Sequence, residues 1–176
     1  AATLAKGNLE IKNFDPKLIH TELELLKKVG AKIKTINDKI FIKGPNKLKS
    51  VKSIKTKEFP GIPTDLQAQL MVLMCRSIGN SSITESIFEN RFMHVAELQR
   101  LGAKINVKNN KAFIQGNTKF IGAELMSSDL RASVALVLAA LVANGKSIVG
   151  RVYHLERGYE NIVNKLKKIG VKIKRL

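Results

Sequence analysis

The chain has 176 residues, 44% hydrophobic and 26% charged, which is the balance of a globular protein large enough for one domain with its own core. No apolar run approaches the ~18 residues of a membrane helix, and the single cysteine, Cys75, excludes an internal disulfide framework. The net charge of +17, from 31 basic and 14 acidic residues, points to an anionic partner or to a solvated lysine surface.

In chain order, Ala1 to Gly7 lack the pattern of a signal peptide, and the single cysteine suits a reducing cytoplasm, the expected location. Gly7-Asn8 reads as a turn into a strand, Leu9–Ile11. Leu23, Leu26 and Val29 share one helical face, and Gly30 ends that helix in the left-handed turn that glycine takes readily. A hairpin follows: Ile33–Ile36, a turn at Asn37-Asp38, and Ile40–Ile42 before Gly44. A lead-in strand is expected at Ser50–Ile54. Asp65-Leu66-Gln67-Ala68 then opens an apolar helix through Leu70–Ile78 to a turn at Gly79-Asn80, followed by a strand, Ser82–Thr84.

The pattern now recurs. Val95, Leu98 and Leu101 form a helical face ended by Gly102, and a hairpin follows: Ile105–Val107, Asn109-Asn110, and Ala112–Ile114 before Gly116. A third pass has a lead-in strand at Phe120–Gly122, a helix opened by Asp129-Leu130-Arg131-Ala132, a turn at Gly145-Lys146 and a strand at Ser147–Val149. It closes with a helix through Val163, Leu166 and Ile169 to Gly170. The unit is strand, helix, strand, helix, hairpin, an α/β unit repeated about a pseudo-threefold axis. The expected organisation is one domain over 1–176, with repeats at about 1–48, 49–118 and 119–176. Only six residues precede Gly7, so the first repeat is read as incomplete and the chain as part of a larger enzyme.

Residues needed for packing should recur in every unit, and those found in one unit only are candidates for function. Cys75 aligns with Thr3 and Leu141 and is read as a small core hydrophobe. Asp65 and Asp129 recur, which suits helix capping. Asp65 also follows the stiff loop Pro60-Gly61-Ile62-Pro63-Thr64, which would hold its carboxylate at a rim, able to take a proton from a substrate hydroxyl. Arg91 stands where the other units have Ile19 and Tyr159, at the expected start of a helix. It is either half of a salt bridge or a planar fork for a phosphate or carboxylate. Arg131 and Arg157 raise the same alternatives, Arg157 also at an expected helix start. His94 and His154 are read as hydrogen-bonded structural residues. No phosphate-binding glycine loop or metal motif appears, and one Cys with three scattered His gives no zinc spacing.

The segments that break the repeat carry a resemblance. Phe59-Pro60, Pro63-Thr64-Asp65-Leu66-Gln67-Ala68-Gln69 and the run Thr84-Glu85-Ser86-Ile87-Phe88-Glu89-Asn90-Arg91-Phe92-Met93-His94 resemble the UDP-N-acetylglucosamine enolpyruvyl transferases (1-carboxyvinyltransferases). So do Ser128-Asp129-Leu130-Arg131-Ala132-Ser133 and Arg157-Gly158-Tyr159-Glu160. The resemblance implies an inside-out α/β barrel of βαβαββ units, the fold of each of two domains in that family. It implies transfer of enolpyruvyl from phosphoenolpyruvate to the 3-hydroxyl of UDP-N-acetylglucosamine, the first committed step of peptidoglycan synthesis, with no cofactor and no metal.

Carried over by position, the resemblance makes Asp65 the general base and the contact to the sugar 3-hydroxyl. Ile87 and Phe88 would line the nucleotide-sugar pocket, Arg91 and Arg131 the catalytic cleft, and Arg157 would pair with phosphoenolpyruvate. The family's Lys-Asn pair and its cysteine-bearing loop have no counterpart here. Cys75 lies outside any such loop, and Glu156 stands where the family more often has Asp. The expected partners are the two substrates and the absent N-terminal half, with no membrane. A same-fold transferase with another acceptor is one alternative. A nucleic-acid-binding module is the other, but 5% aromatic content without Trp leaves few stacking platforms for it.

Overall fold

The computed structural model describes the whole chain, Ala1–Leu176. Residues 1–7 make a tight turn, with Ala5 N–H on Ala1 C=O and Gly7 N–H on Ala2 C=O, and lead into β1 (Asn8–Ile11). Helix α1 (His20–Val29) follows, then the hairpin β2 (Lys32–Ile36) and β3 (Lys39–Lys43). Next come β4 (Ser53–Lys55), α2 (Gln67–Arg76), β5 (Ser81–Thr84), α3 (His94–Arg100), and the hairpin β6 (Lys104–Lys108) and β7 (Lys111–Gln115). The last unit holds β8 (Glu124–Met126), α4 (Leu130–Leu141), β9 (Ile148–Gly150), the short α5 (Tyr153–Glu156) and α6 (Ile162–Lys168).

Three separate sheets result, in the orders β1-β3-β2, β4-β5-β7-β6 and β8-β9. The equivalent pairs use the same geometry. β3 lies antiparallel between β1 and β2, β7 lies antiparallel between β5 and β6, and β4–β5 and β8–β9 are parallel. The hairpin turns place Asn37 and Asn109 at φ 50° and 53°, a conformation that Asn tolerates better than other side chains.

Helices α2 and α4 lie inside and the sheets outside. α2 buries eight of its ten residues, Gln67, Ala68 and Leu70 to Cys75, and packs on α4. A helix apolar on nearly every side is stable only when surrounded. One cluster of 26 buried residues draws on all three units, from Leu4 and Val29 through Met71 and Leu98 to Leu136. The chain is thus an α/β inside-out barrel of pseudo-threefold repeats.

The closing glycines of the two hairpins answer to close approach. A Cβ on Gly116 would lie 2.2 Å from both Ser77 O and Gly79 O, and one on Gly44 would lie 2.5 Å from Ala2 O. In both units the end of the hairpin presses on the turn that leads into the neighbouring strand, β1 or β5.

Two expectations shift. The lead-in strands begin later than Ser50 and Phe120. Val51 N–H turns to Met74 Sδ at 3.4 Å, and Ile121 makes only an isolated bridge to Asn144, so the parallel ladders form beyond those points. Residues 171–176 copy the sequence of a hairpin's first strand but carry no regular structure. Neither Arg91 nor Arg157 opens a helix. α3 begins at His94, and Arg157 is the C-cap of α5, where the dipole argument for anion binding does not apply.

Candidate active site

The loop before α2, the segment after β5 and the start of α4 meet at one place. The loop 57–65 leaves the end of the β4 ladder, where Lys57 N–H reaches Ile62 C=O at 2.8 Å, and closes in a 3-10 turn at Thr64–Leu66. Asp65 sits in that turn and caps nothing, since neither this turn nor α2 receives a side-chain cap. Its counterpart Asp129 is a true N-cap, accepting from Arg131 N at 2.8 Å and Ala132 N at 3.0 Å. Capping is therefore the wrong reading for Asp65 and the right one for Asp129. The difference arises because α2 is entered through a 3-10 turn and α4 from extended backbone at Asp129.

The Asp65 side chain is 63% exposed, and two arginines reach the same oxygen. Arg131 Nε is 2.5 Å from Asp65 Oδ1 and Arg91 Nη1 is 3.9 Å from it. Arg131 comes from the first turn of α4, so the inner helix of the third unit supplies a cation to a loop of the second. Arg91 also lies over the Phe88 ring, 4.5 Å from its centroid, an attractive cation–π geometry.

Beside these groups the segment 85–93 walls a cleft of about 670 Å³, with Ile87, Phe88, Arg91, Val107, Asn109 and Asn110 among its lining. Ile87, Phe88 and Met93 are exposed there, an apolar wall next to a charged cluster. A site that must hold an organic ring beside an anion has this composition.

The loop owes its shape to a residue that the sequence reading quoted but gave no role. Glu85 is 2% exposed. Its Oε1 accepts from Thr56 Oγ1 at 2.8 Å, Ile87 N at 2.9 Å and Phe88 N at 3.3 Å, and its Oε2 accepts from Thr64 Oγ1 at 2.9 Å. The repeat itself held the signal. Glu85 aligns with Asn13 and Arg151, and so is an acid in one unit only.

Of the expected site residues, Arg91 and Arg131 both reach Asp65, Phe88 is under Arg91, and Ile87 lines the cleft. Arg157 is not in this group. It is exposed, and its tie to the cluster is indirect, through Gly158, which packs against Leu130 beside Arg131.

His94 is buried, but its Nε2 has no hydrogen-bond partner, contrary to the hydrogen-bonded role expected. Loss of solvent pushes its pKa down to about 4, opposed by the charge of Asp129. His154 is half-buried with its ring 4.1 Å from that of Tyr153. Burial pushes the Cys75 thiol up to about 12, and the side chain is fully enclosed in the core. No group of three His, Cys, Asp or Glu side chains is placed to hold a metal, and no helix is long and apolar enough to cross a membrane.

Residues 1–166 match the EPSP synthase (3-phosphoshikimate 1-carboxyvinyltransferase) family. The chain belongs to this family. Among relatives of this EPSP synthase-family chain, the UDP-N-acetylglucosamine 1-carboxyvinyltransferase of Pelagibacter ubique is 60% identical over 100% of the chain and 42% of that protein. The enzyme of the same name from Desulfosudis oleivorans is 49% identical over 100% of the chain and 42% of its own length. The chain thus spans about two fifths of the relatives it matches. Among solved structures, the enolpyruvyl transferase NikO from Streptomyces tendae superposes with a TM-score of 0.85 at 28% identity, over 95% of this chain and 40% of that one. An EPSP synthase from Acinetobacter baumannii gives 0.76 at 18% identity, over 97% and 43%, a likeness of fold. The repeat architecture read from the glycines is that of this EPSP synthase family.

Proposed function

We propose that this chain is one domain of a two-domain UDP-N-acetylglucosamine 1-carboxyvinyltransferase and supplies its general base and its arginines. The whole enzyme would transfer enolpyruvyl from phosphoenolpyruvate to the 3-hydroxyl of the sugar and release phosphate, in the cytoplasm, as an early step of peptidoglycan synthesis. The observation that carries this reading is the Asp65 carboxylate held by Arg131 and Arg91, with Arg91 also lining the Ile87–Phe88 cleft.

Asp65 Oδ2, the oxygen neither arginine holds, accepts the proton of the 3-hydroxyl as that oxygen bonds to C2 of the enolpyruvyl group. The proton gained by the adjacent methylene comes from an acid outside this chain. The tetrahedral adduct then loses phosphate and that methylene proton to give the enol ether. Arg91 and Arg131 give fixed positive charge near the anionic adduct, and such preorganised charge acts strongly where water is excluded. Arg157, displaced from the cluster here, would join by contacting the phosphoenolpyruvate anion. Ile87 and Phe88 would hold the nucleotide sugar. No cofactor or metal is called for.

A same-fold enzyme with another acceptor is a second reading, favoured by the 3-phosphoshikimate reaction in the family's description. The test joins this chain to the preceding part of the Pelagibacter ubique relative and follows phosphate release. Phosphoenolpyruvate with UDP-N-acetylglucosamine should give turnover, shikimate 3-phosphate should not, and the chain alone should give none. Turnover by the chain alone, or preference for shikimate 3-phosphate, defeats the proposal.

A further inference from the structure

We propose that Glu85 is a positioning residue that sets the Asp65 turn and the Ile87–Phe88 backbone in one register. Its kinetic test rests on the function proposed above.

The Glu85 carboxylate meets only neutral donors. All four contacts are donors and none is a cation: Thr56 Oγ1, Thr64 Oγ1, Ile87 N and Phe88 N. A carboxylate is acceptor-only, so it satisfies such a set without competition. Its backbone is fixed independently. Glu85 N–H reaches Asn110 C=O at 2.8 Å, and Asn110 Nδ2 reaches Glu85 C=O at 3.0 Å. Both groups of Asn110 belong to the β6–β7 turn, so the carboxylate projects from an anchored point.

From there it ties three segments. Thr56 ends the β4 ladder, and its hydroxyl also accepts from Ser86 N at 2.9 Å. Thr64 precedes Asp65 in the chain. Ile87 and Phe88 open the cleft wall, with Phe88 under Arg91. One buried side chain therefore sets where the carboxylate stands relative to the cleft wall and, through Phe88, relative to Arg91. Fully connected networks of this kind rigidify a site, whereas loss of one member leaves buried donors unmet.

The two oxygens divide the work. Oε1 holds the wall and Oε2 holds the Asp65 turn, so single substitutions separate them. Thr64→Val cuts only the Asp65 arm. In the joined two-part protein it should lower kcat about tenfold and leave KM for UDP-N-acetylglucosamine within about twofold, while Thr64→Ser should restore the rate. Glu85→Ala cuts both arms and should lower kcat and raise KM together, about a hundredfold in kcat/KM. Glu85→Gln should be mild, because its carbonyl can serve the Oε1 donors while the Thr64 hydroxyl reverses to accept from the amide.

Amide hydrogen exchange gives a readout that needs no turnover. Exchange at Ile87 and Phe88 should quicken about tenfold or more in Glu85→Ala and stay slow in Thr64→Val. Equal rates for Thr64→Val and Thr64→Ser, or unchanged exchange at Ile87 and Phe88 in Glu85→Ala, overturns the proposal. If Glu85→Ala does not fold, the two Thr64 variants decide through the kcat-against-KM split. If the unsubstituted protein releases no phosphate, the proposed function falls and Glu85 is judged on exchange alone.

Discussion

Arg131 Nε lies 2.5 Å from Asp65 Oδ1, joining the inner helix of the third unit to the loop of the second. Both side chains are substantially exposed, 37% and 63%, and an exposed pair contributes only about 0–1 kcal/mol to stability. The contact is too weak to explain its geometry as a fold requirement. It orients a carboxylate.

The two repeat-related aspartates should therefore behave oppositely. Asp65→Asn is expected to reduce phosphate release by the joined protein at least about a hundredfold, with stability changed by under about 1 kcal/mol. Asp129→Ala should remove a cap worth about 1 kcal/mol and lower the unfolding midpoint. Urea titrations and phosphate assays on the pair check this, and an Asp65 variant that retains its rate removes the base.

Arginine geometry should matter beyond charge. Arg91→Lys keeps a cation but loses the planar group over the Phe88 ring, so we expect about a tenfold loss in kcat/KM even with charge conserved. Steady-state kinetics at two salt concentrations is the measurement, and a lysine variant equal to the parent contradicts it.

His94 should make the fold acid-sensitive. Its pKa drops from 6.5 to about 4 on folding, so between those values the unfolded chain holds a proton that the folded chain does not. Stability from this group is present above pH 6.5 and is lost as the pH falls toward 4, by up to about 3 kcal/mol. Subtracting the pH–stability curve of His94→Gln from that of the parent isolates the effect from carboxylates. A flat difference between pH 7 and 4 rejects it.

Cys75 should be inert. With its thiol raised from 9.0 to about 12 and fully enclosed, alkylation at pH 8 should be orders of magnitude slower in the native protein than in urea. Rapid native labelling would mean that α2 opens readily.

Gly116 should be irreplaceable by alanine. The added methyl meets two carbonyl oxygens at 2.2 Å, and backbone cannot yield as a side chain can. We expect Gly116→Ala to cost about 1–3 kcal/mol. Gly122→Ala, 2.3 Å from Lys146 O, should follow it, and thermal melts of both provide the check.

The repeat is legible in the sequence alone. Helix faces, left-handed glycines and asparagine turns are local, period-driven choices, so β2, β3, β6, β7, α1 and α2 lie within a few residues of where their patterns put them. Arg91 and Arg131 stood out because they interrupt the repeat, and Asp65 because it follows the stiff loop Pro60-Gly61-Ile62-Pro63-Thr64. What those residues touch follows from the closed fold. That Asp65 takes a salt bridge while Asp129 caps depends on how the chain enters each helix, a difference in backbone path between two similar tetrapeptides. That Arg157 stays apart and Glu85 ties the site together depends on segments far apart in sequence being brought within 3 Å. A hydrogen bond acts over that distance and no farther, so a spacing of 21 or 29 residues gives no hint of it until the sheets and helices have closed.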